Sequence, residues 1–454
     1  MYSGSDSETL RRDRLGEHIE RLAHHASAAE LWEEAARYLR GSGQKALARS
    51  ASRDAAYYFE KAVAAVDHRP KSSETPARAC DIRLELRSAL QVLTELERQR
   101  IVLTDALMLA EALGDQRRMG RALMYATLCA ALVSKNDEAL VLGGRAMVIA
   151  EAIGDLELQV STRNYLGITH LSRGNFLEAK RLFEDAIARI HAEQTDELFG
   201  QPRSAASTAR TGLAIANGHL GQFTEALSHA SQALRDAEES QHAYSISATL
   251  SSLGIIQLLK GDNAEAVRTL DRSLDSWRVL QAPLWSSLGA ALGVALCRTG
   301  EFSRGLSLLD AAQAHSPADI FYPALLAQTE GYLLAGRTQQ ASACAQQARE
   351  LARSTGSRGT EAIALRLLGE TIACGDALDA KGASGHYLAA LSQAAELCMR
   401  PLAAHCHFGL GKLHRRMRDH EQAHRHLTTA MAMYREMGMT YWPEHAQAEL
   451  RQLG

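Results

Sequence analysis

The segment His420-Glu421-Gln422-Ala423-His424 has residue types and a spacing that could do chemistry. On a helix, HExxH places two imidazoles on one face to bind zinc and a carboxylate to activate water. No third ligand follows at metalloprotease spacing, and Ala423 occupies a repeat position described below. We therefore interpret His420, Glu421 and His424 as the start of an ordinary repeat helix and predict no metal site; a zinc metallohydrolase is an alternative.

Further histidines and a cysteine lie nearby in the sequence, namely His405, Cys406, His407, His414 and His426. They could bind a metal adventitiously. The favoured interpretation is an exposed histidine-rich face that gains positive charge as the pH falls toward 6.

The run Gly41-Ser42-Gly43-Gln44-Lys45 has a superficial likeness to a phosphate-binding loop. That loop needs its lysine directly after the last glycine, at the start of a helix that follows a strand. Here the run lies inside a predicted helix, where glycines serve helix–helix contact. We predict no catalytic residue and no cofactor, so the protein is not expected to be an enzyme.

Bulk composition excludes several classes of partner. Lysine and arginine number 50 against 53 acidic residues, giving a net charge of -3 and no field that favours nucleic acid. The seven cysteines are scattered without a CxxC pair, which argues against a disulfide framework or a zinc ribbon. The start of the chain has no apolar signal segment, and no apolar run is long enough to span a membrane. We expect a soluble, cytoplasmic protein.

A repeat of about 40 residues runs through the chain. Its anchor is a small residue, with Gln99 as the weak exception. The anchors are Ala55, Gln99, Ala139, Ala179, Ala226, Ala266, Gly305, Ala341, Ala383 and Ala423.

Two further positions keep the same register. The residue seven after each anchor is small in every repeat, and the residue twelve before it is small in all but one, where Arg87 stands. Two antiparallel helices approach closely only where the contact residues are short, and a larger residue four past the anchor, such as Phe59, Phe183 or Tyr387, fills the remaining space. The repeat is therefore a helix pair.

Glycines supply the turns that this interpretation needs. Within pairs they are Gly174, Gly221, Gly261, Gly300 and Gly336, where a left-handed cap ends the first helix. Between pairs stand Gly114 and Gly154.

The sequence thus predicts an all-α fold, a right-handed α-solenoid of about ten tetratricopeptide-like helix pairs with helical caps at both ends. The predicted segments are a disordered tail (1–14), a capping helix (15–29), a first run of repeats (30–193), a longer inter-repeat loop (194–204), a second run of repeats (205–439) and a C-terminal capping helix (440–454).

Several stretches resemble one bacterial family. WEEAARYLRGSGQKALARSASRDAAYYFEKAVAAV, IAEAIGDLELQVSTRNYLGITHLSRGNFLEAKRLFEDAI and the closing MAMYREMGMTYWPEH are similar to the C-terminal repeat region of multidomain proteins. Those proteins join a class III adenylate/guanylate cyclase domain to a AAA- or STAND-type ATPase and then to such an array. The resemblance implies a sensor or scaffold arm, with a cyclase or ATPase domain as protein partner in cis or in trans. Because the array begins close to residue 15, we expect neither upstream activity in this chain.

In such arrays the first helices of successive pairs line the concave face. Spacing places there Arg121, Tyr125, Asn164, Tyr165, Ile168, Thr208, Thr211, Ser251, Ser252 and Ile255, followed by Ser287 and Val294. These residues suggest a groove for a helix or an extended segment with small apolar side chains. The predicted function is a regulatory scaffold for protein–protein interaction in bacterial signalling. The alternative is sensing of a small effector, for which Asn164 and Tyr165 are candidate contacts.

Overall fold

The computed structural model describes residues 18–68, 75–190, 204–241, 243–280, 286–315, 322–375 and 378–453. Within those ranges every regular element is a helix and no strand occurs. No helix in this part of the chain has both the length and the apolar content needed to cross a bilayer. The predicted all-α solenoid is confirmed.

Ten antiparallel helix pairs follow one another after a first helix, α1 (residues 18–28). Pairs 1 to 5 are α2 (Trp32–Ala48) with α3 (Ser52–Asp67), α4 (Thr75–Val92) with α5 (Leu96–Leu113), α6 (Gln116–Leu132) with α7 (Asn136–Ala152), α8 (Leu156–Arg173) with α9 (Phe176–Arg189), and α10 (Ala205–Leu220) with α11 (Phe223–Glu239). Pairs 6 to 10 are α12 (Ala243–Lys260) with α13 (Asn263–Val279), α14 (Ser286–Arg298) with α15 (Phe302–His315), α16 (Ala324–Leu334) with α17 (Thr338–Ser354), α18 (Arg358–Cys374) with α19 (Ala380–Glu396), and α20 (Arg400–Arg416) with α21 (His420–Glu436). The last helix, α22 (Tyr441–Arg451), follows pair 10.

Close packing inside each pair follows the repeat register. Every anchor is the fourth residue of the second helix of its pair, and every anchor is buried. A Cβ atom on Gly167 would lie 2.7 Å from the ring of Phe183, the large residue four past the anchor Ala179. The same relation joins Gly43 to Phe59, which explains the glycines of the phosphate-loop look-alike by helix contact.

Pair 2 departs from the pattern at two key positions, the anchor and the residue twelve before it. The buried Arg87 guanidinium lies 3.7 Å from the centre of the Tyr125 ring and donates to Ser88 Oγ at 3.0 Å. The weak anchor Gln99 is also buried, and its Nε2 donates to the Arg87 carbonyl oxygen at 3.3 Å. A polar contact thus replaces the usual packing of small residues.

The array closes on itself, because the turns of pairs 4, 5 and 6 lie against pair 9, pair 10 and α22, respectively. A Cβ on Gly174 would lie 2.5 Å from the backbone nitrogen of Gly359 at the start of α18. A Cβ on Gly221 would meet Met437 Sδ at 2.4 Å, and one on Gly261 would lie 3.0 Å from the Trp442 indole nitrogen. We call these three contacts the closure interface.

One hydrogen bond extends this interface toward pair 3. Asn136, buried at the start of α7, donates from Nδ2 to the Thr355 carbonyl oxygen at 3.0 Å. Thr355 follows α17, so the bond joins pair 3 to the junction of pairs 8 and 9.

The ends of the chain follow the predicted order. A helix occupies residues 18–28, within the segment predicted as an N-terminal cap, and α22 lies within the predicted C-terminal cap. The predicted tail (1–14) and all but the last residue of the predicted loop (194–204) lie outside the described residues.

Candidate functional site

The residues predicted to line a concave groove are packed between helices. Nine of the ten are buried, and Arg121 alone is partly exposed. The buried residues are Tyr125, Asn164, Tyr165, Ile168, Thr208, Thr211, Ser251, Ser252 and Ile255. The further groove positions Ser287 and Val294 are buried as well.

Hydrogen bonds explain why polar residues are tolerated there. Asn164 Nδ2 donates to the Ala205 carbonyl oxygen at 2.9 Å, and the Ser251 and Ser273 hydroxyls are 2.8 Å apart. Side chains used in this way join helices to one another. A partner could contact them only after the helices separate.

The HEQAH segment lies at the start of α21, and His420, Glu421 and His424 are all exposed. Its register is that of an ordinary repeat, with Ala423 buried as the anchor. Within the described ranges, no three or more His, Cys, Asp or Glu side chains are grouped so as to hold a metal ion.

The expectation of an exposed histidine-rich face is wrong for the neighbouring histidines. His405 lines a cavity, and His407 Nδ1 lies 2.9 Å from His426 Nδ1. Burial, together with the neighbouring His407 and His414, lowers the pKa of His426 to about 4, and burial lowers the pKa of His405 and of His407. His405 and His426 therefore stay neutral as the pH falls to 6, and burial favours the neutral form of His407.

A partly open cavity of about 110 Å³ lies where the array closes. The C-terminal ends of α8, α10, α12 and α14 form one side, and the N-terminal halves of α16, α18 and α20 form the other. The walls are mostly apolar. They include Leu171, Phe176, Ile215, Leu258, Ile363 and Met399.

An arginine–glutamate pair crosses part of the cavity wall. Arg298 Nε donates to Glu330 Oε1 at 2.6 Å, and Nη1 donates to the Leu258 carbonyl oxygen at 2.9 Å. The same guanidinium lies 5.1 Å from the Trp442 ring of α22. Burial disfavours the charged form of Arg298, but Glu330 outweighs it, so the pKa of Arg298 is raised.

A second arginine, Arg366, lines the cavity without such a partner. In the part of the chain that the structure describes, its Nε is buried with no hydrogen-bond acceptor and its guanidinium forms no ion pair. The nearest acidic residue along the helix is Glu370. Its carboxylate accepts hydrogen bonds from Lys412 Nζ at 2.5 Å and from the Tyr387 hydroxyl at 2.8 Å.

The two histidines in the wall add no charge near neutral pH. Burial lowers the pKa of His219 to about 4, and its ring stacks on Phe176 with 4.3 Å between centroids. His405 Nδ1 lies 2.7 Å from the Tyr434 hydroxyl. The cavity is thus an apolar space with one matched and one unmatched guanidinium, an arrangement suited to binding a ligand.

Four of the cysteines give no sign of nucleophilic chemistry. Burial raises the pKa of the Cys80, Cys129 and Cys297 thiols to about 11 and that of Cys406 to about 12. A thiol with such a pKa carries almost no thiolate at neutral pH.

The cavity lining and the predicted groove share α8, α10 and α12 but no residue. The predicted groove positions lie earlier along α8, α10 and α12 than the residues that line the cavity, such as Leu171, His219 and Leu258. Arg366 carried a usable signal, since it is flanked by Leu365 and Leu367 in an otherwise apolar stretch of a first helix.

Comparison with known proteins identifies the repeat type. Two tetratricopeptide repeat family models match the chain, one over residues 204–278 and one over residues 160–192. The array is built of tetratricopeptide-type repeats. Among curated proteins, no sequence match was found.

A solved structure of low sequence identity shares the fold. A Rap protein complexed with competence and sporulation factor superposes with a TM-score of 0.56 at 13% identity, covering 80% of this chain and 99% of that one. Two others have TM-scores of 0.38. They are BtubC from P. vanneervenii (16% identity, 53% of this chain and 93% of that one) and a signal transduction ATPase with a tetratricopeptide repeat sensor from Pyrococcus horikoshii (14% identity, 93% of this chain and 74% of that one).

Proposed function

We propose that the protein is a non-catalytic regulatory scaffold in bacterial signalling that binds a protein partner through the outer surface of its first three pairs. Tetratricopeptide repeats indicate a protein-interaction scaffold. The observation that carries the proposal is a row of exposed apolar side chains on consecutive second helices.

This apolar row consists of five residues on α3, α5 and α7. Tyr57, Ile101 and Val141 each occupy the sixth position of their helix, and Met108 and Val148 lie two turns further along. Their exposed fractions run from 50% for Ile101 to 69% for Val148. Arg145 of α7 lies 3.4 Å from Glu111 of α5, so the helices that carry the row are direct neighbours. Contiguous exposed apolar side chains of this kind mark interaction surfaces.

Later pairs lack the row at the same register. The sixth position of the second helix is Arg181 in α9, Ser228 in α11 and Arg268 in α13. Because the fold is the same in these pairs, folding alone does not require apolar residues at that position.

We propose a cyclase or STAND-type ATPase domain as the partner, on the strength of the sequence resemblance. The test is biolayer interferometry with the full chain and a cyclase or ATPase domain encoded in the same operon or reading frame. Val141→Glu is expected to weaken binding at least tenfold, because it places a charge in the apolar row. Ser228→Glu, at the same register of α11, is the matched control and is expected to bind like the wild type. Equal affinity of the two variants would contradict the proposal.

A second candidate function is the sensing of a small effector in the cavity. The observation that favours it is the buried Arg366 Nε, which has no acceptor among the described residues. The test is a thermal-shift screen of the full chain against small metabolites, with Arg366→Met as the control that should lose any response.

A further inference from the structure

We infer that the cavity binds a small organic monoanion, a carboxylate on a compact apolar body, with Arg366 as its counter-charge. The inference rests on the second proposed function, effector sensing, and specifies the chemical class of the effector. The cavity wall is mostly apolar, yet it carries one positive charge that no acidic residue of the wall balances.

The charges around the cavity leave one positive charge in excess. Arg298 is matched by Glu330, and Lys412, behind the wall, is matched by Glu370. His219 and His405 are neutral near pH 7, because burial lowers the pKa of each ring. Arg366 is the remaining cation of this group within the described ranges. The Nε of Arg366 is shielded from solvent without an acceptor, which is costly, so a ligand that supplies one negative charge and an acceptor oxygen is stabilised there.

The guanidinium selects the shape of the anionic group. Its planar fork of donors matches a carboxylate, which can accept two parallel hydrogen bonds. The Nε of Arg366 is one such donor and is buried at the cavity wall without an acceptor. A dianion such as phosphate would bring more negative charge than the single excess cation can match.

The rest of the cavity selects the body of the ligand. Around Arg366 the walls come from Phe176, Ile215, Ile363 and Met399, which offer apolar surface and no further charge. The volume of about 110 Å³ is of the same order as an engineered apolar cavity of about 150 Å³ that admits benzene. A carboxylic acid with one ring or a short branched chain fits these limits.

Entry of such a ligand is linked to closure of the array. Arg366 and Met399 stand on pairs 9 and 10, whereas Phe176 and Ile215 stand on pairs 4 and 5, so these residues come together where the array closes. A ligand that contacts both walls binds the closed form better than the open one and therefore shifts the population toward it.

The experiment uses benzoate as the probe and benzamide as its uncharged isostere, with the full chain in low-salt buffer. Saturating benzoate is expected to raise the Tm of the wild type by about 2 °C, and benzamide is expected to leave it unchanged. Arg366→Met should abolish the response. It should also raise the Tm of the ligand-free protein, because the substitution removes a buried donor that has no acceptor; a purely structural arginine would show the opposite sign. Arg358→Gln, an exposed change on the same helix, is the matched control and should respond like the wild type.

The outcomes separate this inference from the function on which it rests. If benzamide stabilises the protein as well as benzoate does, the carboxylate assignment is overturned while effector sensing stands. If neither probe nor any metabolite of the screen acts, both fail. A further variant is Asp319→Asn, at a position outside the described residues. If only that variant responds to benzoate, the chain supplies its own counter-charge and the inference is overturned.

Discussion

Gly174 and Gly359 touch backbone to backbone across the array, since a Cβ on Gly174 would lie 2.5 Å from the Gly359 nitrogen. The first is the left-handed cap of α8, with φ at 82°, and the second lies near the start of α18. One glycine thus serves both a turn within pair 4 and the contact that closes the array.

Gly174→Ala is expected to open the array, whereas Gly300→Ala is not. Both glycines have positive φ, so each substitution costs about 1 kcal/mol in backbone strain. Only at Gly174 does the new methyl group also meet backbone, because nothing lies within 4 Å of a Cβ on Gly300. Small-angle X-ray scattering should show a larger radius of gyration for Gly174→Ala alone. The same radius for both variants would mean that closure does not depend on this contact.

The buried ring of His219 is expected to make the folded state less stable in acid. Because burial lowers its pKa from 6.5 to about 4, the unfolded chain takes up a proton between those values that the folded chain excludes. The free energy of unfolding should fall as the pH drops from 6.5 to 4, by no more than about 3 kcal/mol from this group. His219→Phe, which keeps the stacking on Phe176, should make the urea-unfolding free energy less dependent on pH. An unchanged pH profile would be evidence against a neutral, buried His219.

Phe183 fills the space left by two glycines, and that space has no room for a methyl group. A Cβ on Gly212 would lie 2.2 Å from the Phe183 ring, so Gly212→Ala should destabilise the protein by about 1 to 3 kcal/mol through overpacking. At Gly144, a helical position with nothing within 4 Å, the same change should stabilise by about 0.5 to 1 kcal/mol. Chemical denaturation of the two variants should give changes in the free energy of unfolding that have opposite signs. Adding Phe183→Leu to Gly212→Ala should restore part of the stability that Gly212→Ala removes.

The side chains of Arg87 and Gln99 are expected to contribute independently to stability, because Gln99 donates to the Arg87 backbone carbonyl, which Arg87→Ala leaves in place. Arg87→Ala leaves a cavity and should cost about 3 kcal/mol, and Gln99→Ala should cost about 1 kcal/mol through the lost hydrogen bond. In a double-mutant cycle we expect the two losses to add to within about 0.5 kcal/mol. A larger coupling energy would show that the two side chains stabilise each other.

The repeat could be predicted from sequence because it depends on contacts between neighbouring helices. The anchor Ala179, the small Gly167 twelve residues earlier and the large Phe183 four residues later lie in one pair, and the structure joins all three. The glycine turns were predictable for the same reason, since Gly174 and Gly300 both have positive φ.

The cavity could not be predicted in this way. Phe176 and Arg366 come together because the array curves until pairs 4 to 6 meet pairs 9 and 10 and α22. That curvature is the sum of small rotations at many interfaces, and no local pattern in the sequence encodes the sum. Gly174 and Gly300 look alike as turn residues, yet only Gly174 lies at the closure interface.

Closure also changes how the protein should come apart. In an open solenoid each repeat depends only on its immediate neighbours, so terminal repeats can fray one at a time. Here Asn136 of pair 3 and Trp442 of α22 help to join opposite ends of the closed region. Loss of the last helix would therefore loosen the middle of the chain as well, and the region from pair 3 onward should unfold as one cooperative unit.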